Sequence, residues 1–289
     1  MKKLFYPIIA LLAIFAVACG DDGPKIDRTR DVEFSVSLLS HVTGGEKPIA
    51  YISPSSFTLS QKRLTLDGLV TVNTDDHTFA QFVLEDFPLT KDENGNIYRG
   101  KAATTSNTRL TDFSVVVNFD DQVVDLSYVV DGKLHVTATD PNLFFGGAKT
   151  VLNFDDGTSY NDDNVSYTLK LAPRDGTATL NVADLLYRQD YRYFDHIIAE
   201  ELQAQVTNTG FTVAGQQILP RGDYRRAGSN SEITVFVPSD SLFFRIDDMA
   251  LDIDVAKNTI NGSYTLVKLT REKDGKIVER SRANITCNQ

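Results

Sequence analysis

Apolar and polar residues alternate at Val32, Phe34, Val36 and Leu38, which places four apolar side chains on one face of a half-buried strand. The same period of two recurs through residues 57–59, 64–66 and 69–72, with Asp67-Gly68 as the expected turn before the last of these. It returns at Phe82, Leu84 and Phe87. Asn94-Gly95 before Ile97-Tyr98 is a two-residue hairpin signal, because both turn positions tolerate a positive φ. Residues 113–138 read as a long strand pair folded at Asp131-Gly132. Pro141 and Gly146-Gly147 then break the chain, and the acidic, polar residues 155–164 mark a boundary or an exposed loop.

From Val165 the pattern restarts, with alternation at Val165, Tyr167, Leu169 and Leu171. Short strands are expected at 211–213, 233–237, 242–246 and 251–255, and two closing hairpins should turn at Asn261-Gly262 and Asp274-Gly275. Residues 190–206 differ. Phe194, Ile197, Ile198 and Leu202 stand at helical spacing with no Gly or Pro among them, which predicts the one substantial helix, its apolar stripe packed on a sheet. Strands this short and numerous predict an all-β fold of antiparallel sandwiches or small barrels.

Three stretches of the second half echo the first in the same order. Val165–Leu171 repeats the alternation of Val32–Leu38, and the seven residues from Asp175 echo those from Asp67. Phe119-Asp120-Asp121, followed by Asp125-Leu126, is echoed by Ile246-Asp247-Asp248, followed by Asp252-Ile253. The echoes predict two similar β domains, residues 31–163 and 164–289, with the helix in the second.

Ahead of these domains, Lys2 and Lys3 precede an apolar run from Leu4 to Ala18, the pattern of a secretory signal. The run is shorter than the roughly 20 residues that cross a bilayer. Ala16-Val17-Ala18-Cys19 resembles a bacterial lipoprotein signal, in which the cysteine thiol is lipidated and becomes the new N-terminus. Asp21 and Asp22 resemble the acidic mark of surface-displayed lipoproteins in Bacteroidota. With the β-rich halves, the chain resembles outer-membrane lipoproteins of that group that carry lipocalin-like or sandwich domains. The resemblance implies a signal peptide over 1–18, palmitate on Cys19 and an outer-membrane anchor facing the periplasm or the cell surface. It carries over no other functional residue. An ordinary signal-peptidase site at Ala16-x-Ala18 is the alternative, with a soluble product. Residues 19–30, polar and containing Gly and Pro, read as a tether.

Removal of residues 1–18 leaves 271 residues with 27 basic and 39 acidic side chains, net −12. Such a surface repels phosphate backbones, so nucleic acid is not an expected partner. Cys19 and Cys287 are the only cysteines. A lipidated Cys19 leaves Cys287 a lone thiol, sharing parity with Ala283 and Ile285 on an inward face, whereas an unlipidated Cys19 could pair with it.

Chemistry-bearing clusters are sparse. The four histidines, His41, His77, His135 and His196, show no metal-ligand spacing, and Asp75-Asp76-His77 reads as a solvated turn. Carboxylate pairs at Asp120-Asp121, Asp155-Asp156, Asp162-Asp163 and Asp247-Asp248 are poor evidence for glycoside hydrolysis, since neighbours on a strand face opposite ways. Residues 155–164 and 92–96 are oxygen-rich but lack the EF-hand spacing for Ca²⁺. No nucleophile elbow, P-loop or dinucleotide fingerprint is present, so no cofactor is expected. Arg221-Gly222-Asp223 matches the integrin-recognition tripeptide, a match short enough to arise by chance. Tyr187, Tyr191 and Tyr193 interleave with Arg188 and Arg192, a set that could stack on a glycan, contact a protein, or fold back onto the sheet. These features together lead to the expectation of a non-enzymatic binding or interaction module on the membrane. A hydrolase using scattered carboxylates and a structural envelope or pilus-associated subunit are the alternatives.

Overall fold

The structure, a computed structural model, describes residues 32–60, 63–72, 79–93, 97–118, 120–227 and 232–289. The expected signal peptide, tether and lipidation site Cys19 lie outside the described residues, as do Asp75-Asp76-His77 and Asn94-Gly95. The chain forms two units. One takes in Pro54–Thr139 with the described residues up to Val36, and the other comprises Ser37–Ser53 and Asp140–Gln289. Both are built from antiparallel strands curled into a sheet, as the alternation predicts.

The first sheet contains β1 (Val32–Thr43), β2 (Ile49–Ser60), β3 (Arg63–Val70), β4 (Phe79–Glu85), β5 (Thr90–Lys91), β6 (Ile97–Thr104), β7 (Leu110–Asn118), β8 (Val123–Val130) and β9 (Leu134–Thr139). Its order is β4-β3-β2-β1-β9-β8-β7-β6-β5, a meander whose first strand also pairs with its last. Asp131-Gly132 turns β8 into β9 as expected. Asp67-Gly68 does not turn the chain. It forms a bulge inside β3, where the register to β4 shifts between Leu66 and Leu69 and Gly68 takes φ 81.

The second sheet begins with β10 (Asn142–Phe145), β11 (Lys149–Phe154), β12 (Ser159–Asp162), β13 (Ser166–Ala172), β14 (Thr177–Ala183) and β15 (Leu185–Tyr187). After a single 3₁₀ turn at Arg188–Asp190 come β16 (Arg192–Val206), β17 (Gly210–Gly215), β18 (Arg221–Arg226), β19 (Thr234–Phe236), β20 (Leu242–Asp254), β21 (Thr259–Arg271) and β22 (Ile277–Asn288). The path runs β10-β13-β14-β16-β17-β20-β21-β22-β11-β12, with β15 and β18 also paired to β16 and β19 to β18. Only residues 146–148 separate β10, which pairs with β13, from β11, which pairs with β22. The sheet therefore curls until its two ends share one short connection. Residues 155–164 are part of this sheet, holding the β11–β12 hairpin.

The expected helix over 190–206 is absent; the segment is the strand β16. Buried Phe194, Ile197, Ala199 and Leu202 explain the misreading. One bulge shifts the register to β18 between Phe194 and His196, and a second shifts the pairing with β14 between its Ala178 and Leu180 contacts, where Glu201 takes φ 57. Each extra residue turns a spacing of two into three, so a strand with two bulges copies part of a helical stripe. Between the two bulges the strand alternates normally, so Ile198, flanked by buried Ile197 and Ala199, faces the other side and is half-buried. Likewise, the turn expected at Asn261-Gly262 falls at residues 255–258, and Asn261 and Gly262 lie inside β21 facing Asp252 and Leu251.

Both units are antiparallel and curled, but their sheets differ in strand number and order. The echoing stretches occupy different places in them: β1 against β13, a bulge in β3 against the β13–β14 turn, and the β7–β8 turn against a bulge in β20.

The second unit is filled by aromatic rings. Phe194 sits at the centre, with ring centroids 5.0 Å from Phe244, 5.9 Å from Tyr224, 6.0 Å from Phe236 and 6.3 Å from Tyr187, mostly edge to face. Cys287 is buried beside Ala283 and Ile285, and burial pushes its thiol pKa up to about 11. His41 is buried in the same unit, where its Nε2–H donates to Thr207 O at 2.7 Å and its ring lies 6.0 Å from Phe211.

Candidate binding face

The inner side of β16 is anchored by Phe194, so the polar residues beside it are held outward on a rigid support. The bulge after Phe194 leaves both Asp195 and His196 off the core side before Ile197 turns in again. In the pairing with β18, His196 stands opposite Asp223 and Tyr193 opposite Arg225. One network results. Arg225 Nη2 lies 3.1 Å from Asp195 Oδ1, and its guanidinium carbon lies 4.9 Å from the Tyr193 ring centroid. Tyr193 donates its hydroxyl to Asp184 Oδ1 at 2.5 Å. Desolvation, then that bond to a carboxylate, pushes the Tyr193 pKa up to about 12. From β14, Asn181 Nδ2 donates to His196 Nδ1 at 3.2 Å, which leaves the neutral ring's proton on Nε2.

Three oxygens of this cluster, Asn181 Oδ1, Asp195 Oδ2 and Asp223 Oδ1, are shielded from solvent and meet no donor among the described residues. Each such acceptor costs roughly 1–3 kcal/mol when left unmet. Their shielding makes them a cost of packing β14, β16 and β18 together rather than acceptors open to a ligand. Beyond β18 lies β19, which among the described residues pairs with β18 alone, with Val235 opposite Asp223. Ile233 and Val235 are 60% and 68% exposed, while Phe236 between β18 and the core is buried.

The tyrosine and arginine set of the sequence is divided by the fold. Tyr187 is core, sharing a 2.8 Å hydrogen bond with Ser281 Oγ. Tyr191 is exposed at φ 51, and Tyr193 belongs to the network above. Arg188 stacks on Tyr160 at 4.9 Å and Arg192 on Tyr224 at 4.4 Å. Arg221-Gly222-Asp223 runs within β18 rather than in an exposed loop, and Arg221 is tied to Glu200 at 2.7 Å.

The carboxylate pairs are engaged in local structure. Asp121 accepts from Asn118 at 2.7 Å in the β7–β8 turn, and Asp156 accepts from the Thr158 backbone and hydroxyl. Asp162 accepts from Leu186 N, and Asp247 holds Arg245 through two bonds of 2.7 and 2.8 Å. Asp248 forms the β20 bulge and accepts from Gln216. Hydrogen-bond donors hold the Asp131, Asp156 and Asp254 carboxyls below their usual range. Among the described residues no group of three or more His, Cys, Asp or Glu is placed to hold a metal ion. A shallow groove of about 370 Å³ on the outer wall of β17, β20 and β21 is lined by small residues such as Ala214, Ala250 and Gly262, with Asp252 its one ionisable group.

Asp195 and Asn181 carry no spacing signal in the sequence, whereas β19 falls within the strand expected at 233–237. The available hint was the recurrence of Tyr-Arg pairs at Tyr191-Arg192 and Tyr224-Arg225, the first at the start of β16 and the second on its neighbour β18. No family model matches the chain, and neither the curated proteins nor the solved structures yield a match.

Proposed function

We propose that the chain is a cell-envelope lipoprotein, anchored to the outer membrane by lipid on Cys19, that acts as a non-enzymatic binding module. Its binding surface is the outer face of β14, β16, β18 and β19. The observation that carries this reading is the exposed apolar pair Ile233 and Val235 beside the Tyr193, Arg225 and Asp195 network on one rigid wall. The tight aromatic filling behind that wall and the curling of the second sheet support a small barrel that presents its outside rather than an internal cavity. Carboxylates spent on turns, bulges and ion pairs give the hydrolase alternative little to work with.

The test is photocross-linking in the producing cell. Val235 and, as a control on the β22 outer surface, Thr286 are each replaced by a benzophenone amino acid. A discrete adduct from position 235, absent from 286, supports the reading; equal or no adducts at both overturn it. Palmitate labelling lost in Cys19→Ala supports the anchor, and an unlabelled native protein overturns it.

A further inference from the structure

We propose that the tip of the β1–β2 hairpin, residues 38–50, is a pH-sensitive plug: it docks in the second unit at neutral pH and is released on acidification when His41 takes up a proton. The second unit includes Ser37–Ser53, yet among the described residues β1 and β2 pair with no strand of its sheet. The tip is therefore held there by side chains and can leave without breaking a ladder of backbone bonds. Leu39 and His41, two apart on one side of β1, supply that hold. Leu39 is fully buried in the core of the unit, and Ala50 packs against the same core from β2. His41 is 5% exposed, its ring beside Phe211 of β17 and its Nε2–H donating to Thr207 O in the β16–β17 turn.

The docked site does not accommodate a second proton on the ring. With the neutral ring's proton on Nε2, the added one goes to Nδ1, which meets no acceptor among the described residues. A buried donor without an acceptor and a buried charge both favour the released tip, where water supplies the acceptor. The surroundings are braced. Thr207 N donates to Gly210 O at 2.9 Å, Gly210 N to Thr207 Oγ1 at 3.2 Å and Val255 N to Thr209 O at 3.0 Å, which holds the Thr207 carbonyl in place. Among the described residues Asp254, at the end of β20, is the one charged group acting on His41. Its carboxylate already holds the Lys257 ammonium at 2.8 Å and the Lys257 N–H at 3.0 Å. The β16–β17 turn and β17 face the ring with Thr207 and Phe211, neither of which titrates, and on the hairpin itself Glu46 and Lys47 stand in the exposed turn. Burial lowers the His41 pKa below 6.5, with the Thr207 carbonyl and Asp254 opposing. The docked tip is thus fully favoured above pH 6.5 and loses ground as the pH falls toward the lowered value.

The test is hydrogen exchange of the mature protein at about pH 7.5 and about pH 5.5, corrected for intrinsic exchange and read at residues 38–42, with β21 and β22 as the reference. Opening of the tip is expected to rise several-fold, up to about tenfold, the limit for one proton taken up over one pH unit below 6.5, while β21 and β22 keep their protection. His41→Gln, which still donates to Thr207 O but does not titrate, removes the rise. Nuclear magnetic resonance of the wild type, which needs no variant to fold, places the His41 midpoint below 6.5. A midpoint at or above 6.5, tip amides equally protected at both pH values, or a rise undiminished in His41→Gln would each overturn the proposal. So would loss of protection in β21 and β22 together with the tip, which is unfolding of the whole unit rather than release of a plug. The outer face of β16 and β18 takes no part in these readouts, so the plug and the binding-module reading stand or fall separately.

Discussion

Replacing Gly222 by Ala probes how closely β18 must approach β16 for the candidate face to exist. A Cβ at Gly222 would lie 2.0 Å from His196 O, 2.9 Å from His196 C and 3.0 Å from Phe236 Cε1. The two nearest atoms are backbone, so no side-chain movement relieves the clash; one strand must shift by about 1 Å. Overpacking of this kind costs roughly 1–3 kcal/mol, and each ladder bond lost adds about 0.5–1.5 kcal/mol. A total near 3 kcal/mol corresponds to a fall in melting temperature of about 6–12 °C for a folding unit of this size. Gly275→Ala is the control. Gly275 sits in the β21–β22 turn at φ 83 with nothing within 4 Å, so only the left-handed penalty of about 1–2 kcal/mol applies. Calorimetry gives the melting temperatures, and hydrogen exchange over residues 221–226 reports whether β18 loosens. A Gly222→Ala protein that melts no lower than Gly275→Ala, with β18 amides as protected as in the wild type, would refute the steric account of this pairing.

Acidification should weaken the second unit through His41. Burial lowers its pKa below 6.5, so the unfolded chain binds the proton first; stability is complete above pH 6.5 and falls as the pH drops toward the lowered value, by up to about 1.4 kcal/mol per pH unit. The Thr207 carbonyl and the Asp254 carboxylate oppose that shift without cancelling it. His41→Gln, which can still donate to Thr207 O, should therefore melt with less pH dependence between 6.5 and 5 than the wild type, and an identical slope would count against the assignment. Phe194→Ala should cost about 3–5 kcal/mol in urea unfolding, against less than about 0.5 kcal/mol for exposed Tyr191→Ala. Cys287, buried and with its pKa raised to about 11, should react with a thiol reagent at pH 7 only when the protein unfolds; rapid labelling of the native protein would contradict its burial.

The all-β class was legible because strand period survives in most segments, as in β13 and β14, where each second residue is buried. Reading failed where backbone features that leave no clear local mark changed the phase. The two bulges of β16 gave Phe194, Ile197 and Leu202 a helical look, and Asp67-Gly68, a good turn dipeptide, serves a bulge because β3 continues past it to Val70. Asn261-Gly262 shows the opposite case: Gly262 lies in mid-strand, where a Cβ would meet Ala250 O at 2.1 Å, so close packing rather than turning requires the glycine. The candidate face depends on pairings between residues 181, 196 and 223, which no local spacing encodes. Asp195 and His196 would in any case have been placed on a helix.

That placement is the point on which the whole account turns, and nuclear magnetic resonance of the labelled mature protein tests it most directly. Residues 192–206 are predicted to show strand-type carbon shifts interrupted near 195–196 and 200–201, with cross-strand contacts from His196 to Asp223 and from Asn181 to Ile198. Helical shifts through 192–206, with sequential amide contacts and no signal between His196 and Asp223, would contradict it and remove the binding face altogether.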